Sequence, residues 1–195
     1  AISNGGNTPN QWRTLKETEW VYVFNTRNTI SGIRYAKATV NGINGMILVP
    51  DEWSSSYYSL RSTNNSEVDF SSNTISLSDW TTRLEANGAV FLPATGSRLG
   101  TIVTVDSHGF YWSAPSGSTN NEYTMHFYNG GLSISMSLDR TNGLSVHLVR
   151  DAAAENESPI IWGFGNYGVY SGYQLYGSLV NPEPTLQGYA EINDS

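Results

Sequence analysis

The chain has 195 residues, enough for one sizeable core, and carries a formal net charge of −7 with no cysteine. Such an acidic field repels phosphate backbones and anionic lipid, which argues against nucleic acid and against a membrane surface as partners. The missing cysteines remove disulfides, thiolate metal sites and a cysteine nucleophile, so the fold has to hold by packing alone.

Charged residues are only 14% of the chain, while Gly, Asn, Ser, Thr and Tyr are plentiful, a balance expected of an extracellular β-rich or α+β module. No apolar run reaches the roughly 20 residues that cross a bilayer. The opening AISNGG has neither a basic region nor an apolar core of a signal peptide, so the chain is expected to be a mature or trimmed fragment without membrane insertion.

In chain order, residues 1–10 are turn-rich, and Thr14-Leu15-Lys16-Glu17 predicts a capping box with Thr14 as the cap. A helix over residues 15–26 would then bury Leu15, Trp20, Val23 and Phe24 on one face. Residues 33–40 and 43–49 are β-rich and flank Asn41-Gly42, the turn signal of a type I′ hairpin. Residues 50–73 have no period and predict a long surface loop, with Trp53 partly exposed and the neighbouring carboxylates Asp51 and Glu52 solvated.

A second helix, over residues 79–87, is marked by Ser76 or Ser78 as cap, Trp80 and Leu84 at helical spacing and Gly88 as its stop. From Gly88 onward, strands are predicted over residues 89–92, 101–105, 110–114, 122–129, 132–138 and 144–149, forming one twisted antiparallel sheet. Alternation would turn Tyr123, Met125 and Phe127 inward with Leu132, Ile134, Met136 and Leu138. Thr124, His126, Tyr128, Ser133, Ser135 and Ser137 would then form one open patch. Trp12, Trp20, Trp80 and Trp112, which sit among apolar neighbours, are expected to be largely buried.

Residues 152–159, AAAENESP, read as a linker, and the aromatic, Gly-rich stretch 160–195 as a tail. Gly163-Phe164-Gly165-Asn166-Tyr167-Gly168 spells G-x-G-x-x-G, but no helix start follows it, so the dinucleotide reading lacks its structural context.

Catalytic chemistry finds little support. His108, His126 and His147 stand apart in the sequence, without HExxH or a ligand cluster, and the apolar neighbours of His126 and His147 predict surface-facing rings. No G-x-S-x-G or P-loop is present. Asp139 and Asn142 could contribute to a calcium site, although DRTNG is first of all a turn signal. No catalytic residue, metal or cofactor is expected.

The runs NGGNTPNQWRTLKETEW, YAKATVNGINGMILVPDEW, WTTRLEANGAVFLPATGSR, GFYWSAP and RTNGLSVHLVRD resemble the Fibrobacter succinogenes major paralogous (FISUMP-like) domain of surface proteins from Bacteroidetes and relatives. The resemblance spans roughly residues 1–151 and implies a C-type-lectin-like α+β fold, shared with formylglycine-generating-enzyme-like domains and retroelement-diversified variable proteins. It also implies an extracellular or cell-surface location, with any lipid anchor in a segment before Ala1. The family usually reads YWSS and SVRLV where this chain has Tyr111-Trp112-Ser113-Ala114 and Ser145-Val146-His147-Leu148-Val149, so a site built on that arginine does not carry over.

On this resemblance the domain covers residues 1–151. The tail either completes it by permutation, since relatives carry a stretch like WGFGNYGVYSG before ISNGGN, or begins a following repeat. The function expected is a non-enzymatic adhesion module that recognises a protein or glycan. Its ligand-binding surface would comprise Asn120, Asn121, His126, Tyr128, Asn129, Ser133, Ser135, Asp139 and Arg140. The alternative is a structural or stalk domain of an adhesin or fimbria without a ligand of its own.

Overall fold

The computed structural model describes residues 12–114 and 120–151, together with the strand residues 160–161, 169–170 and 173–175. The lead-in, the linker and most of the tail lie outside the described residues. In order come β1 (Arg13–Thr14), α1 (Glu17–Val21), β2 (Tyr35–Val40), β3 (Ile43–Leu48), β4 (Thr74–Ile75), α2 (Leu77–Asp79) and β5 (Val90–Pro93). Then follow β6 (Ser97–Leu99), β7 (Ile102–Thr104), β8 (His108–Trp112), β9 (Asn121–Tyr128), β10 (Gly131–Asp139) and β11 (Leu148–Asp151). Short strands β12 (Ile160–Ile161), β13 (Val169–Tyr170) and β14 (Tyr173–Leu175) complete the order. The chain is thus α+β, with two short helices and several antiparallel sheets.

The middle layer is a sheet in the order β4-β2-β3-β5. Asn41 and Gly42 turn with φ of 48° and 83°, the left-handed pair that a type I′ hairpin needs, and β2 and β3 pair from Val40↔Ile43 to Tyr35↔Leu48. This sheet is buried on both faces. One face holds Ala36, Ala38, Val40, Ile47 and Phe91 with Trp53, Leu60, Trp80 and Leu84; the other holds Tyr35, Met46, Leu48, Val90 and Leu92 with Trp20, Phe24, Phe70, Tyr111, Met125 and Phe127.

Several elements differ from expectation, each for a local reason. The first helix begins at Glu17, because Arg13 and Thr14 pair with Val149 and Leu148; Lys16, not Thr14, is the cap, and the Glu19 carboxylate accepts from its N–H at 2.7 Å. It widens to a π turn over Tyr22–Thr26, closed by Arg27 N–H on the Tyr22 carbonyl at 2.8 Å. The second helix starts at Leu77, where the Ser76 side chain accepts from Asp79 N–H at 3.0 Å, and ends at Gly88 with φ 81°.

β5 joins the first hairpin through Leu48↔Val90 to Gly45↔Pro93, so the strands after Gly88 do not form one sheet. The 50–73 segment is anchored by Trp53, Leu60 and Phe70, all buried; Trp53 is 1% exposed, whereas Trp12 and Trp112 are only half-buried. Trp53 packs edge-on to Tyr57 at 5.6 Å, so a loop that looked polar supplies one of the largest core side chains.

Gly45 lets β3 pass over Phe91. A Cβ there would sit 2.3 Å from the Phe91 ring and 2.5 Å from the Leu92 carbonyl oxygen. Gly45→Ala is therefore expected to cost about 2 kcal/mol or more by overpacking, read as a lower urea midpoint; an unchanged midpoint would show that β3 and β5 can move apart.

Candidate binding face

The second layer is the antiparallel sheet β10-β9-β8. Its register runs His108↔Tyr128, Phe110↔His126 and Trp112↔Thr124 on one side of β9, and Gly131↔Tyr128, Ser133↔His126 and Met136↔Thr124 on the other. Residues directly opposite share a face. The outer face therefore carries Trp112, Phe110 and His108, then Thr124, His126 and Tyr128, then Met136, Ser133 and Gly131. The inner face carries Tyr111, Gly109, Met125, Phe127 and Leu132.

A bulge between Ser133 and Met136 changes the β10 pattern. Ser133 lies across from His126, but Ser137 lies across from Tyr123, on the opposite side. Ser133, Ser135 and Ser137 are all exposed, as alternation predicts, yet they do not make one patch. Leu132 and Ile134 pack on the core, while Met136 and Leu138 share the face of Thr124 and Glu122.

β9 is also buried on both faces. Thr124 is 0% exposed and His126 8%, although alternation alone turned both to solvent. His126 is covered by its neighbours: its ring stacks on Phe110 with centroids 4.1 Å apart and planes 5° apart. His108 Nδ1 lies 2.8 Å from His126 Nε2 with the rings 8° from parallel, an edge-to-edge hydrogen bond in which one ring donates. Tyr128 stacks beside both at 5.0 and 5.3 Å and lies over Gly131. Two histidines that stand apart in the sequence are thus partners across adjacent strands. Burial, with His108 and Lys37 adding, lowers the pKa of His126 to about 4, so the ring is neutral at pH 7.

His147 is not surface-facing either. It is buried edge-on to Tyr111 at 6.2 Å, its Nε2 has no hydrogen-bond partner among the described residues, and burial lowers its pKa to about 4.

The β9–β10 turn is fixed from below. Lys37, fully buried in β2, donates through Nζ to the carbonyls of Ser66 at 2.6 Å, Gly131 at 3.0 Å and Tyr128. Asn129 Oδ1 accepts from Phe70 N–H at 2.9 Å, and Gly130 N–H donates to Val68. Burial lowers Lys37 to about 8, offset in part by Asp69.

The expected site residues divide accordingly. Tyr128, Asn129 and Ser133 lie at the turn end of the sheet; Asn120, Asn121, Asp139 and Arg140 are exposed at the far end. There Arg140 pairs with Glu122, and Arg140 N–H donates to the Asn120 carbonyl. Asp139 Oδ1 accepts from Thr141 N–H at 2.8 Å, which with a side-chain bond from Thr141 lowers its pKa and commits the carboxylate to the turn. Among the described residues no three His, Asp or Glu side chains gather as a metal-holding group.

The side chains that sequence reasoning left out are His108, Phe110 and Trp112, all half-exposed on β8. Their signal was present: HGFYW alternates, with Gly109 and Tyr111 buried between them. Gly109 is required under Phe127, whose ring would sit 2.1 Å from any Cβ.

A family model described as a domain of unknown function (DUF8237) matches residues 57–149, slightly under half of the chain. No curated protein and no solved structure matches it. The matched segment contains β8, β9 and β10 entire, together with the loop that Lys37 ties to their turn.

Proposed function

We propose that the protein is a non-enzymatic binding module of the cell surface, and that the outer face of β8–β9–β10 takes the ligand. The observation that carries this reading is the strip of half-exposed rings Trp112, Phe110 and His108, continued by Tyr128 at 38% exposure and edged by Ser133. Soluble domains rarely leave aromatic side chains grouped at the surface without a use. The strip holds no Asp, Glu, Lys or Arg, His126 beside it is neutral, and Arg140 is paired with Glu122 at its far end. A face of aromatic rings rimmed by hydroxyls and imidazoles suits a neutral glycan, whose ring C–H groups meet aromatic carbon while its hydroxyls meet Ser133, Tyr128 and His108. A protein segment is the second ligand class, because Tyr and Ser are adaptable recognition residues.

The C-type-lectin-like relationship and the extracellular location belong to the same proposal, on the strength of the sequence runs quoted above. The stalk alternative draws on a different observation: the faces of Phe110 and His126 are spent on each other, as in a purely structural ladder.

Glycan and protein arrays separate the two. The binding reading expects a reproducible hit that weakens at least tenfold, about 1.4 kcal/mol, in Trp112→Ala and in Ser133→Lys, with unchanged melting temperature for Ser133→Lys. Silence on both arrays would favour the stalk.

A further inference from the structure

β6 and β7 form a hairpin whose two-residue turn, Gly100-Thr101, has Gly100 at φ 60°, the position a type II′ turn reserves for glycine. Arg98 on β6 uses both backbone groups on Gly143: its N–H donates to the Gly143 carbonyl at 2.8 Å and its carbonyl accepts from Gly143 N–H at 2.7 Å. Ser145 in turn bridges to β8, with Trp112 N–H donating to its carbonyl and its N–H to the Phe110 carbonyl. The hairpin therefore extends the sheet, in the order β10-β9-β8, residues 143–145, β6, β7, and β7 is its outer edge.

Because Arg98 points both groups away from β7, its opposite residue Val103 forms a pair without hydrogen bonds inside the hairpin. The Val103 N–H and C=O must then face the open side. Among the described residues no strand pairs with that side.

The side chains along this edge are apolar and solvated: Ile102 is 67% exposed, Val103 60%, Val105 65% and Leu99 54%. From Leu99 to Val105 there is no charge and no proline, the devices by which proteins protect an edge from pairing. The backbone groups specify what covers such an edge, namely an extended strand.

We propose that β7 pairs antiparallel with β7 of a second copy of this chain, about a two-fold axis at Val103. The two Val103 residues exchange both backbone hydrogen bonds, Ile102 stands opposite Thr104, and Thr101 opposite Val105. Such a contact is self-complementary and closes at two copies. Charge permits the contact: the chain carries −7 overall, but the stretch 99–105 is uncharged, so two copies meet there without direct repulsion along the paired strands. The contact is small, so the dimer is a weak one whose population depends on concentration. It joins two binding faces into one assembly and so raises the affinity for a repetitive ligand.

Sedimentation equilibrium of the full chain, from about 10 µM to about 1 mM loading, brackets the affinity of a small contact. The expected result is a mass that rises from one copy to two and no further. Val103→Pro deletes the outward N–H while leaving the bonds of the β6–β7 hairpin in place, and Ile102→Lys adds a charge at the edge without touching the backbone. Each should weaken association at least tenfold with an unchanged circular dichroism spectrum. A wild-type mass of one copy throughout, association continuing beyond two, or a dimer that survives Ile102→Lys would each overturn the proposal.

Discussion

Replacing Lys37 with methionine is expected to destabilise the domain by about 3 kcal/mol or more. The loss is not that of a surface charge. Methionine has nearly the length to fill the space, but it leaves the carbonyls of Ser66, Tyr128 and Gly131 without the donor they share. Hydrogen bonds to a charged donor contribute about 1.5–3 kcal/mol each, and this change removes three part-buried ones together. The change should also loosen the β9–β10 turn before the middle sheet opens, since Lys37 is the polar tie between them; hydrogen exchange at Phe70, which donates to Asn129, and at Gly130 would report it. A urea midpoint within error of wild type would show that the three carbonyls find other donors.

Acid should destabilise the protein as the pH falls from about 6.5 towards 4. His126 and His147 are both lowered from 6.5 to about 4 in the folded chain. The unfolded chain therefore binds more protons than the folded one as pH falls through that window. Stability present above pH 6.5 is lost progressively down to about pH 4, by about 3 kcal/mol for each ring. Together the two approach the whole stability of an ordinary domain. Urea unfolding at pH 7.0 and at pH 4.5 measures the loss, and His126→Phe, which keeps the stack on Phe110, should remove about half of the pH dependence. A stability unchanged between those two values would contradict the burial of both imidazoles.

The parts of the fold legible in the sequence were those set by local chemistry. Asn41-Gly42 specified its hairpin because only that turn type takes two left-handed residues, and Ser76 and Gly88 bounded the second helix because each meets an orphaned backbone group. Trp20 and Trp80 were read as core from their spacing and are 0% and 1% exposed.

What was not legible depends on tertiary pairing. Trp53 is buried because the 50–73 segment folds back over the middle sheet, which no local pattern encodes. Alternation on β9 gave the correct relative sides but not the burial, since His126 is covered by a cross-strand partner that is 18 residues away in sequence. The bulge at Ser133/Met136 then broke the single serine patch. The candidate face consequently moved by one strand, from the serines of β10 to the rings of β8, while Tyr128, His126 and Ser133 stayed within it.

The most direct test of the central claim is an NMR titration of the labelled chain with whichever array ligand it captures, followed at backbone amides and at the tryptophan indoles. The account predicts that the largest shifts fall on the Trp112 indole and on the amides of His108, Phe110, Tyr128 and Ser133, with the indoles of the buried Trp20, Trp53 and Trp80 unmoved. Shifts concentrated instead on residues 54–68, or on Asn120, Asp139 and Arg140 with the Trp112 indole silent, would place the ligand elsewhere and contradict it.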